Sequence, residues 1–491
     1  MKIKAWGSVL LLSCLCSAVT AQNGNRYLEK PLPRGWGNTV IPNSKTVPTS
    51  TGTANSTTAS ADDNLFSGQI LPVDDQWWKA FNDPVLDSLI SVASGENYSV
   101  LAAIDRMEQA RASLRIERSN FFPSISLNGG WLRQQSSGNT TELPQSITHY
   151  YDASLNASWE LDIFGSIRQR VKAQRETFQA SREEYISVQV SLCAQVASAY
   201  INLRELQQEV EVVKKNCQSQ LAVVKITEKR YETGLVSKLD VAQALSVYYD
   251  TKASLPMLEA GIIQYTNALG VLMGLYPQDA RKIMETQKPL PEYVEMVGIG
   301  IPANLLLRRP DIRSAERLVN AQAASLGASK SDWWPKVFVN GSVGFASHDL
   351  DKLANHNSLT YEIAPSISWS FFQGGKLAQA TRLAKAQLDE SIRQFNQDVL
   401  TAVQEVDNAM NTYKNSIRQI VALREVVNQG KQTLELSLDL YKQGLTPFQN
   451  VLDAQRSLLS YENELTQAKG SSLLSLIQLY QALGGGWGIE N

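Results

Sequence analysis

Histidine and cysteine are scarce in this sequence: three histidines and four cysteines occur in 491 residues. Too few cysteines are present for a disulfide scaffold, and the histidines and cysteines lack the spacing of a metal site. The net charge is only −2, from 46 Lys and Arg against 48 Asp and Glu, which excludes a chain-wide basic surface for nucleic acid. We therefore expect neither a bound metal nor a nucleic-acid partner.

Catalytic motifs are absent as well. The sequence contains no nucleophile elbow, phosphate-binding P-loop, dinucleotide-binding glycine pattern or HExxH zinc motif. The histidines, His149, His348 and His356, have no acidic partners at ligand spacing and fall in or beside predicted loops. We expect a protein that is not an enzyme and that uses no cofactor.

Long apolar runs are also missing after the start of the chain, so no later transmembrane helix is expected. Residues 1–21 have a basic start, an apolar run and small residues before Gln22, which predicts a secretory signal peptide. A rival interpretation is a bacterial lipoprotein box ending at Cys14, which would then carry a lipid. Residues 22–76 are rich in Ser and Thr and predict an extended tether.

Proline and internal glycine are missing from two very long tracts, 166–232 and 375–442, apart from Gly430. Each tract predicts a helix of roughly 100 Å. A narrow apolar stripe follows the first tract, with a residue every three or four positions; it includes Val188, Leu192, Val196, Ala199, Leu203 and Leu206. Helices of this length favour coiled-coil packing.

Alternating apolar and polar residues predict two β-hairpins, at about 123–163 and 335–372. In the first hairpin the odd positions of 151–161 are apolar, whereas the even positions include Asp152 and Glu160. A soluble sheet packed on its apolar face is the usual explanation of such a pattern. Here the long helices leave little to cover that face, so the pattern favours an outer-membrane barrel.

The chain repeats itself with a shift of about 210 residues. Aromatic–proline and tyrosine–glycine motifs recur in register: Phe121-Phe122-Pro123 with Trp333-Trp334-Pro335, and Tyr231 and Gly234 with Tyr441 and Gly444. The first repeat is predicted over 77–300, as a helix, a hairpin, a long helix and a helix over 236–274. The second repeat, over 301–487, has the same layout and ends with a helix over 446–483.

Four strands cannot close a barrel, and each unpaired edge group in lipid costs several kcal/mol. The predicted barrel must therefore be shared between copies of the chain. Two copies give eight strands, whose interior side chains fill; three give twelve, wide enough for a wet lumen lined by Asp152, Glu160 and Asp162. The expected fold is an α+β membrane protein, a shared outer-membrane β-barrel continued by a coiled-coil barrel. The alternative is a secreted coiled-coil interaction protein without a pore.

The second repeat carries a family signature. Its parts are Ile301-Pro302, Leu305-Leu306-Leu307-Arg308-Arg309-Pro310-Asp311-Ile312-Arg313, Ala315-Glu316-Arg317 and Asp332-Trp333-Trp334-Pro335. Together with the doubled Tyr-x-x-Gly turn, this signature resembles that of the TolC/OprM-like outer-membrane factors, most closely the NodT-type efflux components. The resemblance covers about 77–487, nearly all of the chain after the predicted signal and tether.

The resemblance implies a homotrimer with a twelve-stranded barrel in the outer-membrane lipid and a helical tunnel across the periplasm. It also implies two partners, a periplasmic adaptor protein and an inner-membrane pump of the resistance-nodulation-division type. The expected function is the outer-membrane channel of a tripartite efflux system, a passive duct for drugs or other small molecules. A duct of the same fold for type I protein secretion is the alternative.

One turn joins each long helix to the shorter helix that follows it. Together the two turns contain Tyr231, Gly234, Ser237, Gly444, Thr446 and Pro447. The glycines predict helix C-caps, Ser237 and Thr446 predict N-caps, and Pro447 is expected at the first helical position.

By position, the resemblance implies a periplasmic gate formed by Asp240, Tyr441, Asn450 and Asp453. The family often has a second acid where Asn450 stands. A plainer explanation of Asp240 and Asp453 is that carboxylates stabilise the positive end of a helix dipole.

Overall fold

The computed structural model describes residues 27–29, 76–135, 137, 139, 147–283, 288–291 and 308–485. The predicted signal peptide, Cys14 and nearly all of the predicted tether lie outside the described residues. So do the tip of the first hairpin loop and the first part of the family signature, up to Leu307.

Nine helices and four strands make up the described part of the chain. In chain order they are α1 (Pro84–Glu96), α2 (Tyr98–Ser119), β1 (Ser124–Gln135), β2 (Ile147–Leu161), α3 (Ser166–Glu232), α4 (Lys238–Ala253), α5 (Leu255–Leu272), α6 (Pro277–Ile283), α7 (Pro310–Ser331), β3 (Lys336–Ser347), β4 (Leu359–Ser368), α8 (Lys376–Lys442) and α9 (Phe448–Ala482). Short 3-10 turns cover Trp77–Phe81, Leu350–Lys352 and His356–Ser358.

The largest core lies around the middle of α3, where α1, α5, α8 and α9 meet it. Helix α1 starts as a capped helix should, because Asp83 accepts a hydrogen bond from the Val85 amide (2.9 Å) and Pro84 occupies the first helical position. The Tyr200 hydroxyl of α3 donates to the same carboxylate. One acid therefore caps α1 and fixes it to the long helix.

Helices α3 and α8 contain 67 residues each, so each spans roughly 100 Å. One 18-residue window of α3 is apolar enough to cross a membrane, but 56% of that window is buried inside the chain, as in a core helix. The lone glycine of α8 has a packing reason. A Cβ atom on Gly430 would lie 3.1 Å from the Tyr461 ring of α9, so glycine allows these two helices to approach closely.

The helix predicted over 236–274 is two helices, α4 and α5, and that prediction is corrected here. The interruption lies at Ser254, directly before the first turn of α5, which contains Pro256. Proline has no amide hydrogen to donate, and its ring restricts the preceding residues. The apolar pattern continues across this point, which is why periodicity alone missed the break.

Helix α7 begins with Pro310 at its first position. The arginines on either side of this start reach neighbouring helices. Arg309 binds Glu405 of α8 and Arg313 binds Glu183 of α3, each at 2.7 Å. The described part of the family signature thus starts a helix and ties it to both long helices.

The four strands form one antiparallel sheet in the order β1-β2-β3-β4. The central pairing joins the two repeats, with Leu155 of β2 opposite Val343 of β3. Strands β1 and β4 form the edges, and neither has a second partner among the described residues. The sheet of one chain is therefore open on both sides.

Candidate functional site

The turns after the two long helices lie side by side at one end of the molecule. We call residues 233–237 the first tip turn and residues 443–447 the second. Arg230, just before the first turn, reaches the backbone just before the second; its Nη1 lies 2.7 Å from the carbonyl oxygens of Tyr441 and Lys442. A small core, the tip cluster, lies beneath them; it comprises Val223, Val224, Ala244, Val247, Tyr441, Phe448, Val451 and Leu452.

Both tip turns have the same backbone. Gly234 and Gly444 have φ of 74° and 78°, the left-handed conformation that glycine adopts most readily. In each turn the amide after the glycine donates to the carbonyl five residues earlier, at 2.9 Å. This is the Schellman motif, which satisfies carbonyls that the helix end leaves free.

The helices that follow the turns start differently from the prediction. Ser237 occupies the N-cap position of α4, but its hydroxyl donates to Asp240 Oδ1 (3.1 Å) and caps no backbone amide. A capping hydroxyl accepts a hydrogen bond from a backbone amide, whereas the Ser237 hydroxyl acts here as a donor to a carboxylate. The predicted N-cap position of Ser237 is confirmed, but its side chain makes no capping hydrogen bond and instead binds Asp240.

In the second turn, Pro447 is the N-cap of α9 and Phe448 the first helical residue, so Pro447 is not at the first helical position. Pro447 has an extended backbone, with ψ of 154°, which delays the helix by one residue. Thr446 consequently lies outside the helix and caps no amide. Its hydroxyl oxygen accepts a hydrogen bond from Asn450 Nδ2 at 2.6 Å.

Tyr441 is almost fully buried, with 3% of its surface exposed. Its ring lies 5.0 Å from that of Phe448, and the Arg230 guanidinium lies 4.7 Å from its centre. Burial, and then the nearby Asp240 carboxylate, raise the pKa of Tyr441. Within one chain its hydroxyl makes no hydrogen bond to Asp240 or Asp453.

The remaining two predicted gate residues lie on a different surface. Asn450 and Asp453 line a cleft of about 670 Å³ between α8 and α9, together with Gly430 and Tyr461. Asp453 accepts a hydrogen bond from Gln449 Nε2 at 2.9 Å. The structure thus brings Asp240 close to Tyr441, and Asn450 close to Asp453.

One face of the sheet is polar. Asp152 and Glu160 lie on this face, as the alternation predicts. A Cβ atom on the opposite residue, Gly130, would lie 2.9 Å from Asp152 Oδ1, so glycine leaves room for the carboxylate. Glu160 forms an ion pair with Lys336 Nζ at 3.5 Å.

A third acid on the polar face was missed. Glu362 of β4 pairs with Ser342, in the row that continues to Asn156 and Ser126. The alternation of β4 puts position 362 on the same face as the serines, so extending the pattern to every even position would have found it.

Asp162 has a different role from the predicted one. It follows the last residue of β2, and its carboxylate accepts hydrogen bonds from the backbone amides of Ile167 (3.0 Å) and Arg168 (2.9 Å) at the start of α3. Its side chain is only 10% exposed. Asp162 therefore caps the long helix and is not a lumen-facing acid, because the strand alternation ends one residue before it.

The opposite face of the sheet exposes large apolar side chains. Those with most of their surface exposed are Ile125, Leu127, Trp131, Ile147, Tyr361, Ile363 and Ile367. At the helix end of the sheet, the indoles of Trp159 and Trp369 donate to the carbonyls of Phe121 and Trp333, at 3.0 and 3.1 Å. An uncovered apolar band with aromatic residues at its border is typical of a lipid-facing barrel wall.

The histidines do not form a metal site of three or more ligands in the described residues, and His149 lies within β2, not in a loop as predicted. His149 and His348 lie beside each other, with ring centres 6.2 Å apart, at the end of the sheet away from the helices.

Comparison with known proteins gives a consistent result. A family model described as "Outer membrane efflux protein" matches residues 89–275 and 301–485. The solvent efflux pump outer membrane protein SrpC of Pseudomonas putida is 34% identical over 420 residues, 84% of this chain and 87% of that protein. The probable efflux pump outer membrane protein TtgC of Pseudomonas putida is 30% identical over 424 residues, 86% of this chain and 87% of its own. Among solved structures, the outer-membrane channel OprN superposes with a TM-score of 0.82 at 29% identity, covering 86% of this chain and 96% of that one.

Proposed function

The chain belongs to the outer membrane efflux protein family, and we propose that three copies of it form one continuous duct out of the cell. The protein is an outer-membrane efflux channel with its β domain in the outer membrane and its helical barrel in the periplasm. It works with an adaptor and an inner-membrane pump, and it is not an enzyme. Family membership removes the alternative of a secreted coiled-coil protein without a pore.

The open four-stranded sheet is the observation that supports the proposed trimer. Strands β1 and β4 each leave one edge unpaired in the described chain, while one face is apolar and the other polar. Closing the sheet between chains satisfies the edges and puts the apolar face toward lipid. Eight strands would leave an interior filled by side chains, whereas twelve leave a wet lumen. Asp152 and Glu160 would then line the lumen of the trimer, joined by Glu362.

Native mass measurement of the protein in lipid nanodiscs tests this assembly. We expect three chains per particle. A stable monomer in lipid, or a dimer, would show that the shared twelve-stranded barrel is wrong.

We infer that the pump is of the resistance-nodulation-division type and that the cargo is small molecules. The relatives named for solvent and efflux-pump roles support the small-molecule cargo, and the family resemblance implies the pump type. A duct for type I protein secretion is the alternative. Deleting the gene in its own host should lower resistance to a panel of apolar drugs and solvents. Loss of one secreted protein, with drug resistance unchanged, would favour the alternative.

We also propose that the tip turns close the periplasmic end, with Asp240, Tyr441, Asn450 and Asp453 at the constriction. In a trimer the turns, each present three times, would surround the axis. The contact of Arg230 with the second turn supports a single closing unit, because it keeps both turns of one chain together. Repulsion between the acids would favour opening unless donors or cations offset it.

For the N-terminus we propose cleavage after Ala21, which makes Gln22 the first residue of the mature chain. Labelling with radioactive palmitate tests it. Incorporation that is lost in Cys14→Ala would establish the lipoprotein alternative instead.

A further inference from the structure

Arg230 links the ends of the two long helices in the described tip. It lies in the last turn of α3, and its Nη1 donates at 2.7 Å to the carbonyl oxygens of Tyr441 and of Lys442, the last residue of α8. Carbonyls in the last turn of a helix lack partners further along the helix. The Gly444 amide already donates to the Tyr441 carbonyl oxygen at 3.0 Å, so Arg230 gives that oxygen a second donor. It also supplies a donor to the Lys442 carbonyl oxygen, at the end of the other long helix.

The same guanidinium covers the tip cluster. It lies 4.7 Å from the centre of the Tyr441 ring, within the range of a cation–π interaction. It also lies over the second turn, since a Cβ atom on Gly444 would be 4.0 Å from Nη2. The Arg230 guanidinium at the end of α3 thus contacts the Tyr441 ring and two carbonyl oxygens at the end of α8, and it lies near the capping glycine of the second turn.

The position of the Arg230 guanidinium, between two helix C-termini, is electrostatically favourable. Two helix C-termini side by side bring together two partial negative charges, and a cation between them offsets their repulsion. The lysine at the end of α8 does not serve this purpose, because Lys442 Nζ pairs with Asp439 at 3.0 Å on its own helix. Of the groups facing this point, Asp240 adds further negative charge near Tyr441.

We propose that Arg230 is a positioning residue that fastens the two tip turns of one protomer together, so that the α3–α4 and α8–α9 hairpins move as one unit. Its role in opening rests on the proposed gate, but the fastening itself does not. Each turn already closes its own backbone through its glycine, so removing Arg230 should separate the turns without unfolding either of them.

Hydrogen exchange of the assembled, full-length protein tests the fastening. In Arg230→Ala we expect the amides of Gly444 and Leu445 to exchange about tenfold faster or more, the effect of losing a charged hydrogen bond. Arg230→Lys keeps the charge but loses the stacked planar group, so a smaller increase is expected. The matched control is Lys229→Ala, which removes the same charge from an exposed neighbour and should leave the second turn unchanged.

Acceleration confined to residues near position 230, or wild-type exchange at the second turn in both Arg230 variants, would overturn the proposal. If Arg230 stabilised only the end of its own helix, the faster exchange would be confined to residues near position 230. Single-channel conductance of Arg230→Ala separates the fastening from the gate. Faster exchange with a raised conductance supports both, whereas faster exchange with an unchanged conductance keeps the fastening and refutes the gate at these turns.

Discussion

The two tip turns have one backbone and two different chemistries. Gly234 and Gly444 hold nearly the same φ and close the same hydrogen bonds. The tyrosines that precede them occupy equivalent positions, yet Tyr231 is 46% exposed and Tyr441 only 3%. A repeated sequence therefore fixes the path of the chain, while the neighbours of each copy decide which side chain becomes core. Arg230 and Asp240, on either side of the first turn, supply a cation and an acid, and Tyr441, before the second turn, is the buried ring near both.

The largest expected difference between the turns is in stability. Tyr441→Ala should lower the free energy of unfolding by about 3 kcal/mol or more, as for other buried aromatic truncations, and reduce the melting temperature. Tyr231→Ala, at the equivalent exposed position, should change it by about 0.5 kcal/mol or less. Equal losses in the two variants would show that the turns are not distinguished by burial.

A second test asks whether the two chemistries act together as a gate. Tyr441→Phe combined with Asp240→Ala should raise single-channel conductance in planar bilayers and admit large antibiotics into cells. The gate hypothesis requires the Tyr441 hydroxyl of each protomer to donate to a carboxylate of its neighbour, a charged hydrogen bond worth roughly 1.5–3 kcal/mol. If the residues serve only the helix ends, the melting temperature falls and the conductance stays at the wild-type value.

The third prediction concerns what the turns share. Gly234→Ala and Gly444→Ala force a Cβ atom into the left-handed region, at a cost of about 1–2 kcal/mol each. Neither site is crowded, since the nearest atom to the added Cβ is 4.0 Å away at Gly444 and none lies within 4 Å at Gly234. Thermal melting should therefore show nearly equal losses, and a twofold difference would mean that the backbones are less alike than their dihedral angles indicate.

The smallest expected effect is a difference between the two long helices in how one residue of each affects the pH dependence of stability. Burial, and then the Glu209 carboxylate, raise the pKa of Glu205 in α3 from 4.5 to about 7. The folded state then holds a proton that the unfolded state has released, so this residue makes the protein less stable as pH rises from about 4.5 to 7. Glu205→Gln should flatten the plot of melting temperature against pH over this pH range. The equivalent position in α8 is the exposed Asn415, and Asn415→Gln should keep the wild-type slope.

Most of the fold could be predicted because its signals are local and long. The absence of proline and the narrow apolar stripe indicate the long helices, and period-two alternation indicates the strands. The prediction of a β domain joined to a helical barrel is confirmed by the likeness to OprN. The break at Ser254 was missed because a proline in an otherwise unbroken apolar pattern leaves periodicity unchanged.

The candidate site was harder to predict, for physical reasons. The partners of Arg230 lie on another helix, and sequence spacing does not reveal such a contact. The alternation of polar residues predicts Asp162 in the lumen, whereas the strand ends at Leu161 and the carboxylate binds the start of α3. The N-cap position of Ser237 could be predicted, but this position does not decide whether the hydroxyl accepts from a backbone amide or donates to Asp240.

The open edges of the four-stranded sheet have a genetic consequence. If every barrel draws strands from three chains, a defective copy that still associates spoils the whole assembly. Co-expressed in equal amounts with the normal protein, such a copy leaves only about one trimer in eight free of it. A variant damaged in the β domain but intact in its helices should therefore be dominant over the wild type, whereas a chain that fails to fold at all should be recessive.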